Sequence, residues 1–439
     1  MVLKIFVNIN GKAKQNRRKG LAEKEERRIK RSFAGYPDIA TKITESEGSA
    51  KRLCKEYIKH KVDAVIISGG DGTVQYHLTT YFKELYKSFG KGLAPIEFAH
   101  RLNRMALDPS TGLVLPAIYH RRKGTVNFYG DTLRMGGDVE TIAERVMMRK
   151  EVSLTDFPRT YVPVFMLFPK DDPYNLDDTK LMTTYADGFL DRVFEEYYAP
   201  KKKGKDASIA NALEVIGRTL ASATLDNVLP RDSPQGAIYK ERYVDTIMHS
   251  ITGEVKIDDR VIVAPDEKRI ALSIGAMGVN LYGLKPFYRM PRNPEKFVFF
   301  EAGKYEKTED VNINNQMFQV LVGNPELLSI AKQLPNIYLG TATNVTGLTD
   351  TLARRVEIAQ DEDLAYIADG STETNGKNAV IEMAYLQPFV LLDYMPQEPK
   401  GSMLEWIAEK GFQFARRKFA DSPIPDVIEQ VQGRGMNGK

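Results

Sequence analysis

Strand-length apolar runs alternate with helical periodicity through the first third of the chain. "LKIFVNI" (3–9), "DIATKIT" (38–44) and "DAVIISGG" (63–70) read as strands. The third is β-branched and nearly all apolar, as strands covered on both faces are. Between the second and third, Ala50, Leu53, Cys54, Tyr57 and Ile58 fall at helical spacing. After the third, Val74, Leu78, Tyr81, Phe82, Leu85 and Phe89 do the same. Strand–helix–strand repetition predicts an α/β domain with a parallel, doubly wound sheet and ligands outside the carboxyl ends of its strands.

Residues 90–123 break this rhythm with arginines among prolines and glycines (Arg101, Arg104, Arg121, Arg122), and read as an elaborated loop. "DVETIAERVMMRK" then predicts an amphipathic helix capped by Asp138. Beyond residue 156 the texture turns to short β-rich runs between Pro, Gly, Asp and Asn turns: "YVPVFMLF", "RVIVA", "RIALSIGA", "KFVFFEA", "QVLVGN", "AYIAD", "NAVIEMA" and "PFVLLDY". "VIVAPDEKRIALS" reads as a hairpin, and helices are expected at "DGFLDRVFEEYY" and "IANALEVIGRTLASA". The partition is therefore an α/β domain over 1–155, a mainly antiparallel, sandwich-like β domain over 156–395, and a tail over 396–439. "APKKKGKDAS" (199–208) reads as a solvated basic connector.

Bulk composition narrows the function classes. The 439 residues are 42% apolar and 27% charged, ordinary for a globular protein. A net charge of +4 suits anionic ligands or an anionic membrane surface and is far from a nucleic-acid-binding balance. The single cysteine, Cys54, cannot form an internal disulfide, which favours a reducing cytoplasm. No apolar stretch is long enough to span a bilayer. The five histidines show no metal-ligand spacing.

The stretch "IISGGDGTVQYHL" (66–78) carries the chemistry. Glycines remove Cβ atoms, so a phosphate can approach backbone amides, and the helix starting near Thr73 aims its positive end at the same place. Asp71 suits a hydrated magnesium or a ribose hydroxyl, and Thr73 a phosphate oxygen. The plain alternative is a strand-to-helix turn with Asp71 or Thr73 as N-cap. Neither G-x-x-x-x-G-K-[ST] nor a G-x-G-x-x-G after the first strand is present.

"GGDGT" after a third strand resembles the signature of the diacylglycerol kinase and sphingosine kinase catalytic-domain superfamily, which includes soluble bacterial lipid kinases; NAD kinases share it. Three further stretches resemble the lipid kinases. "VNINGKAK" (7–14) stands in the place of their Asn-Pro-x-Ser-Gly-Lys element, keeping Asn8, Gly11 and Lys12 but with Ile9 and Asn10 where Pro is usual. "TESEGSAKRL" (44–53) places Thr44 at a nucleotide-contacting position. "KGTVNFYGDTL" (123–133) keeps Gly124, Thr125, Asn127 and Leu133 of Pro-x-Gly-Thr-x-Asn-x-x-Ala-x-x-Leu, with Arg122 for Pro and Gly130 for Ala. In place of the Asp-Gly-Glu triplet on a late strand stands "YIADGSTETNGKNAVIEMA", where Asp369 matches the general base. Ser371 occupies the glutamate's place, and Glu373 comes two residues late. Asp-Gly is also an ordinary hairpin-turn pair.

The resemblance implies an ATP-dependent, magnesium-requiring lipid kinase acting on a diacylglycerol-like or sphingoid hydroxyl. Its nucleotide site would use Asn8, Lys12, Thr44, Gly69, Gly70, Asp71, Gly72, Thr73, Gly124, Thr125 and Asn127, with Asp71 on the metal and Asp369 and Glu373 as catalytic carboxylates. The implied partner is a lipid at a membrane surface, with a homodimer compatible and no nucleic acid. The tail "SMLEWIAEKGFQFARRKFA" reads either as a helix docking on the first domain or as a peripheral membrane helix. The rival functions are NAD phosphorylation and a homologue that binds nucleotide or lipid without turnover.

Overall fold

The computed structural model describes residues 3–13, 15–124, 127–133, 135, 139–147, 159–193, 195, 250–279, 285–290 and 317–390. The chain forms two compact units, Met1–Met395 and Pro396–Lys439. The second lies outside the described residues, as do the basic connector, "KFVFFEA", "IANALEVIGRTLASA" and Asp138.

The opening strands and helices form where the periodicity predicts them: β1 (Ile5–Asn10), α1 (Leu21–Ser32), β2 (Ile39–Thr44), α2 (Glu47–His60), β3 (Ala64–Gly69) and α3 (Asp71–Phe89). Every residue of β3 is buried, which accounts for its unbroken apolar run. A capping box between Ser46 and Ser49 starts α2, and Lys61 ends it in the left-handed region at φ 50. β1 pairs in parallel with both β2 and β3.

Residues 90–123 are not a loop. They hold α4 (Pro95–Leu107), a single 3-10 turn and β4 (Ala117–Arg122), a fourth parallel strand beside β3. The short α5 (Phe128–Thr132) and α6 (Val139–Met147) follow. The arginines that suggested a loop belong to regular elements. Arg121 is buried on β4 and ion-paired with the buried Glu25 of α1.

The later strands are β5 (Arg159–Pro169), β6 (Lys180–Met182), β7 (Thr184–Gly188), β8 (Ile251–Ile257), β9 (Arg260–Val263), β10 (Lys268–Arg269), β11 (Ala271–Gly275), β12 (Phe318–Gly323), β13 (Leu348–Ala353), β14 (Arg355–Gln360), β15 (Leu364–Ala368), β16 (Ser371–Asn375) and β17 (Asn378–Val390), with α7 (Leu327–Leu339) between β12 and β13. They make two antiparallel arrays. One, in the order β13-β12-β11-β7-β15-β16, is a separate six-stranded sheet; the other joins the parallel strands. The junction is β17, which pairs antiparallel with β14 and β5 and, at Phe389, in parallel with Ile118 of β4. "NAVIEMA" and "PFVLLDY" thus contribute to one long strand whose register shifts between Met383 and Leu386. The expected "VIVAPDEKRIALS" hairpin does not form. β9 and β10 both pair with β8, while β11 belongs to the other sheet.

Two apolar cores result, and β5 serves both. Val162, Val164, Met166 and Phe168 face the core shared with the parallel sheet, whereas Phe165 and Leu167 face the core between the two antiparallel arrays. A period of two with both faces buried explains why "YVPVFMLF" shows no polar alternation.

Candidate active site

"GGDGT" straddles the junction of β3 and α3. Gly69 ends the strand, Gly70 is extended (φ −95, ψ −179) and Asp71 begins the helix, with no side-chain N-cap. The glycines of this turn are set by close approach rather than by positive φ, which none of them adopts. A Cβ on Gly69 would lie 2.5 Å from Thr73 Oγ1, and one on Gly70 would lie 3.0 Å from Gly124 Cα. A Cβ on Gly124 would lie 2.6 Å from Gly70 Cα, and one on Gly72 would overlap Ser371 Oγ. The missing side chains let three chain segments meet at the positive end of a 19-residue helix.

The loop after β1 is locked to this turn by a residue the sequence comparison set aside. Asn10 Nδ2 donates to Thr73 Oγ1 at 2.8 Å, and Asn10 Oδ1 accepts the Lys12 amide at 2.9 Å. Its carbonyl accepts Asn16 Nδ2 at 3.0 Å. An Asn at this point makes an Asx-type turn, so the chain turns without the family's proline. Asn8 and Thr44 are both buried, and Thr44 Oγ1 donates to Asn8 Oδ1 at 2.8 Å. The structure thus brings these two expected site residues together.

The third segment follows β4. Lys123 N–H donates to Gly69 O at 2.8 Å, and His120 Nε2–H donates to the same carbonyl at 2.9 Å. Burial pushes the His120 imidazole down to about 4, so it is neutral, and its Nδ1 lies 4.0 Å from Asp71 Oδ1. Asn127, in the left-handed region at φ 56, closes the loop: Oδ1 accepts Gly124 N–H at 2.9 Å and Nδ2 donates to Gly124 O at 3.1 Å. Thr125 lies outside the described residues.

Tyr129, fully buried, follows directly. Its amide donates to Asp71 Oδ1 at 3.1 Å and its hydroxyl to Asp369 Oδ2 at 2.9 Å. One residue of the "KGTVNFYGDTL" stretch thereby touches two of the three acidic positions singled out in the sequence, Asp71 and Asp369. Burial holds the Tyr129 phenol well above its ordinary range.

Asp369 and Gly370 are the central pair of the β15–β16 hairpin, at φ 45 and 79, with Ala368 paired to Ser371. The Asp-Gly pair is thus a two-residue hairpin turn. The Asp369 side chain has no exposed surface. It also accepts from Thr183 N–H at 3.1 Å, Thr183 Oγ1 at 2.9 Å, Thr184 N–H at 2.7 Å and Thr184 Oγ1 at 2.9 Å. Burial raises its pKa, and these hydrogen bonds oppose the rise.

No inserted residue restores Glu373 to the triplet's third position, because β16 pairs with β15 without a break from Ser371 to Asn375. Residues two apart on a strand share a face, so Glu373 lies on the same side as Ser371, which abuts Gly72. Its side chain, 30% exposed, is ion-paired with Lys180 of β6. β6 is in turn held to α3, since Gln75 Nε2 and Thr79 Oγ1 both donate to Leu181 O, at 3.1 and 3.2 Å.

Two departures from the family pattern explain one another. Arg122, standing for Pro, lies across Gly130, standing for Ala; a Cβ there would meet Arg122 Nε at 2.6 Å and Cγ at 2.8 Å. The guanidinium donates to Asp131 Oδ1 at 2.6 Å, to Gly130 O at 2.8 Å and to Met135 O.

Among the described residues no group of three or more His, Cys, Asp and Glu side chains converges as a metal site. A magnesium ion carried largely by phosphates and water needs only one or two carboxylates, and Asp71 at the head of α3 fits that demand. The glycine-to-glycine approach of two loops at a helix N-terminus fits a phosphate ligand. No helix of the described residues is long and apolar enough to cross a membrane.

Residues 4–157 match the family model of the diacylglycerol kinase catalytic domain. Three solved structures bearing the name diacylglycerol kinase, from Bacillus anthracis str. Sterne, are similar to the chain at low identity. Two are 15% identical with a TM-score of 0.47; one covers 87% of this chain and 94% of its own, the other 90% and 97%. The third is 14% identical, with a TM-score of 0.44 and coverage of 90% and 97%. No curated protein matches the chain.

Proposed function

We propose that this chain, whose residues 4–157 are of the diacylglycerol kinase catalytic-domain superfamily, is an ATP-dependent lipid kinase acting on a diacylglycerol-like or sphingoid hydroxyl. The observation that carries this reading is the convergence at Tyr129, whose amide and hydroxyl bind Asp71 and Asp369. It draws "GGDGT", "KGTVN" and the late Asp-Gly turn to one place.

When bound, ATP supplies the phosphoryl group and magnesium spreads the charge that develops on it. The residues that would hold them are Asn8, Lys12, Thr44, Gly69, Gly70, Gly72, Thr73, Gly124, Thr125 and Asn127 for the nucleotide and Asp71 for the metal. A lipid hydroxyl ionises far above neutral pH, so a carboxylate must take its proton during attack. Of the two candidates, Asp369 is closed to solvent and surrounded by donors, whereas Glu373 is partly exposed. Asp369 therefore holds the two halves of the site in position, and Glu373 accepts the proton. The lipid approaches from a membrane surface.

Radiolabelled ATP with magnesium, offered to a panel of extracted lipids and to NAD, tests the reading. Label in a lipid, abolished by Glu373→Gln, is the expected result. Label in NAD alone moves the protein to the NAD kinases. The displacement of Glu373 from the triplet favours a second reading, a nucleotide-binding homologue without turnover; ATP binding with no transfer to any acceptor would establish it.

A further inference from the structure

The late hairpin presents a hydroxyl in the place of the triplet's glutamate. Ser371 follows the Asp369–Gly370 turn as the first residue of β16 and pairs with Ala368. Its Oγ abuts Gly72, in the first turn of α3, so closely that a Cβ on Gly72 would overlap it. The residue is half-buried, and its hydroxyl forms no hydrogen bond among the described residues. Its place is fixed from both sides. Asp369, two residues earlier, is anchored by Thr183, Thr184 and Tyr129, and β16 stays paired with β15 as far as Asn375. A reactive group held against its target reacts far faster than the same group free in solution.

A base stands on the same face of the strand. Glu373 is two residues on, with its Cα about 7 Å away, a span that its side chain or one bridging water covers. Lys180 binds that carboxylate and lies over the Tyr366 ring, 5.7 Å from its centroid. A cation is therefore at hand to offset negative charge brought to the pair.

We propose that Ser371 is a site of self-phosphorylation: with ATP bound at the "GGDGT" turn, its hydroxyl takes the terminal phosphoryl group. Ser371 Oγ forms the new bond to phosphorus. The bond from that phosphorus to the oxygen bridging to the β-phosphate breaks, and the oxygen leaves with its electron pair as part of ADP. A serine hydroxyl is a weak nucleophile until a base takes its proton, and here the Glu373 carboxylate receives it. The inference rests on the nucleotide half of the kinase reading and not on the lipid half, since a hydroxyl fixed beside the phosphate site needs no lipid to meet the phosphoryl group.

The test is incubation of the full chain with magnesium and ATP labelled in its terminal phosphate, without lipid, followed by peptide mapping by mass spectrometry. Label on the peptide that holds Ser371 is expected, with a rate constant independent of protein concentration because donor and acceptor share one molecule. Ser371→Ala should abolish the label, and Glu373→Gln should slow its appearance by about 10²–10⁴-fold. Thr372→Ala, exposed on the opposite face of the strand, should leave it unchanged. Equilibrium binding of a fluorescent ATP analogue is read in parallel, and Ser371→Ala and Glu373→Gln should bind it as the wild type does. Binding without label in the wild type, equal labelling of Ser371→Ala, or wild-type labelling of Glu373→Gln would overturn the proposal. So would a rate proportional to protein concentration, or loss of nucleotide binding in Ser371→Ala. Label in a lipid with none in the protein sinks the phosphoserine and keeps the kinase reading. Label on Ser371 with no lipid acceptor found does the reverse, and a chain that binds no ATP overturns both.

Discussion

The Tyr129 hydroxyl donates to Asp369 at 2.9 Å across 240 positions of sequence, while the amide of the same residue binds Asp71. This side chain ties the catalytic-domain motifs to the late hairpin. Tyr129→Phe keeps the ring and the amide bond and deletes only the hydroxyl. Removing a donor from a buried carboxylate costs about 1–3 kcal/mol. Urea unfolding should show that loss, and a variant as stable as the wild type would mean the tie contributes nothing.

The two carboxylates should separate in their phenotypes. Asp369→Ala leaves the Thr183 and Thr184 donors and the Tyr129 hydroxyl without their acceptor, so stability falls by upwards of about 3 kcal/mol. Glu373→Gln breaks a partly exposed pair with Lys180, worth at most about 1 kcal/mol, yet activity should fall by roughly 10²–10⁴-fold. Thermal melts and lipid phosphorylation measured side by side decide it. A fully active Glu373→Gln would remove that residue from the chemistry.

The glycine contacts predict one rescue and one failure. Gly72→Ala collides with the Ser371 hydroxyl, but only an ordinary 3.6 Å contact with Ser371 Cβ remains once that hydroxyl is removed. The Gly72→Ala/Ser371→Ala pair should therefore recover most of the stability lost by Gly72→Ala alone. Gly124→Ala meets backbone, Gly70 Cα at 2.6 Å, and no side-chain change should rescue it. Additive effects at 72 and 371 would contradict the contact.

Arg122 and Gly130 should behave as a coupled pair. Gly130→Ala alone forces the thrice-bonded guanidinium aside. With Arg122→Ala already in place, the three atoms nearest the new Cβ are gone. A double-mutant cycle in unfolding free energy should show a coupling of about 0.5–3 kcal/mol, and zero coupling would refute it.

His77 gives the molecule a defined acid weakness. It is buried against Tyr57 and Tyr81, its Nε2 has no hydrogen-bond partner among the described residues, and burial pushes its pKa down to about 4. A histidine in the unfolded chain titrates near 6.5, so between those values the unfolded state takes up the proton that the folded state refuses. Stability from this site is intact near neutrality and is lost as the pH falls from 6.5 towards 4. His77→Phe keeps the aromatic packing and should outlast the wild type by an additional ~2 kcal/mol on going from about pH 7.5 to about pH 5. An unchanged gap at the two pH values would show the ring is not held neutral.

What the chain declares about itself depends on whether a residue's partners are local. β3, α2 and α3 were legible because burial and periodicity act within a dozen residues, and the "GGDGT" turn stood out at their junction. β4 was not, because "AIYHRR" looks solvated until His120 finds Gly69 O and Arg121 finds Glu25. The start of α4 did carry helix signals: Pro95 in its first turn, and Glu97 accepting the Ala94 amide at 3.2 Å. Its arginines outweighed them. Asn10 was passed over as a missing proline, although an Asn that replaces a turn proline is itself a turn former. Tyr129 offered no signal at all, since its significance lies in a carboxylate on another sheet.

Strand β17 sets the order in which the chain can mature. The edge of β4 is completed only when residues near 389 arrive, so the parallel sheet keeps an open flank until they are made. A nascent chain at a ribosome emerges from its amino end, and an unpaired strand edge invites pairing with other chains. The parallel sheet, begun by β1, β2 and β3, thus waits on a strand more than 250 residues further on. The parallel sheet gains its β17 neighbour only at Phe389, and until then protection from other chains depends on whatever shields the flank of β4.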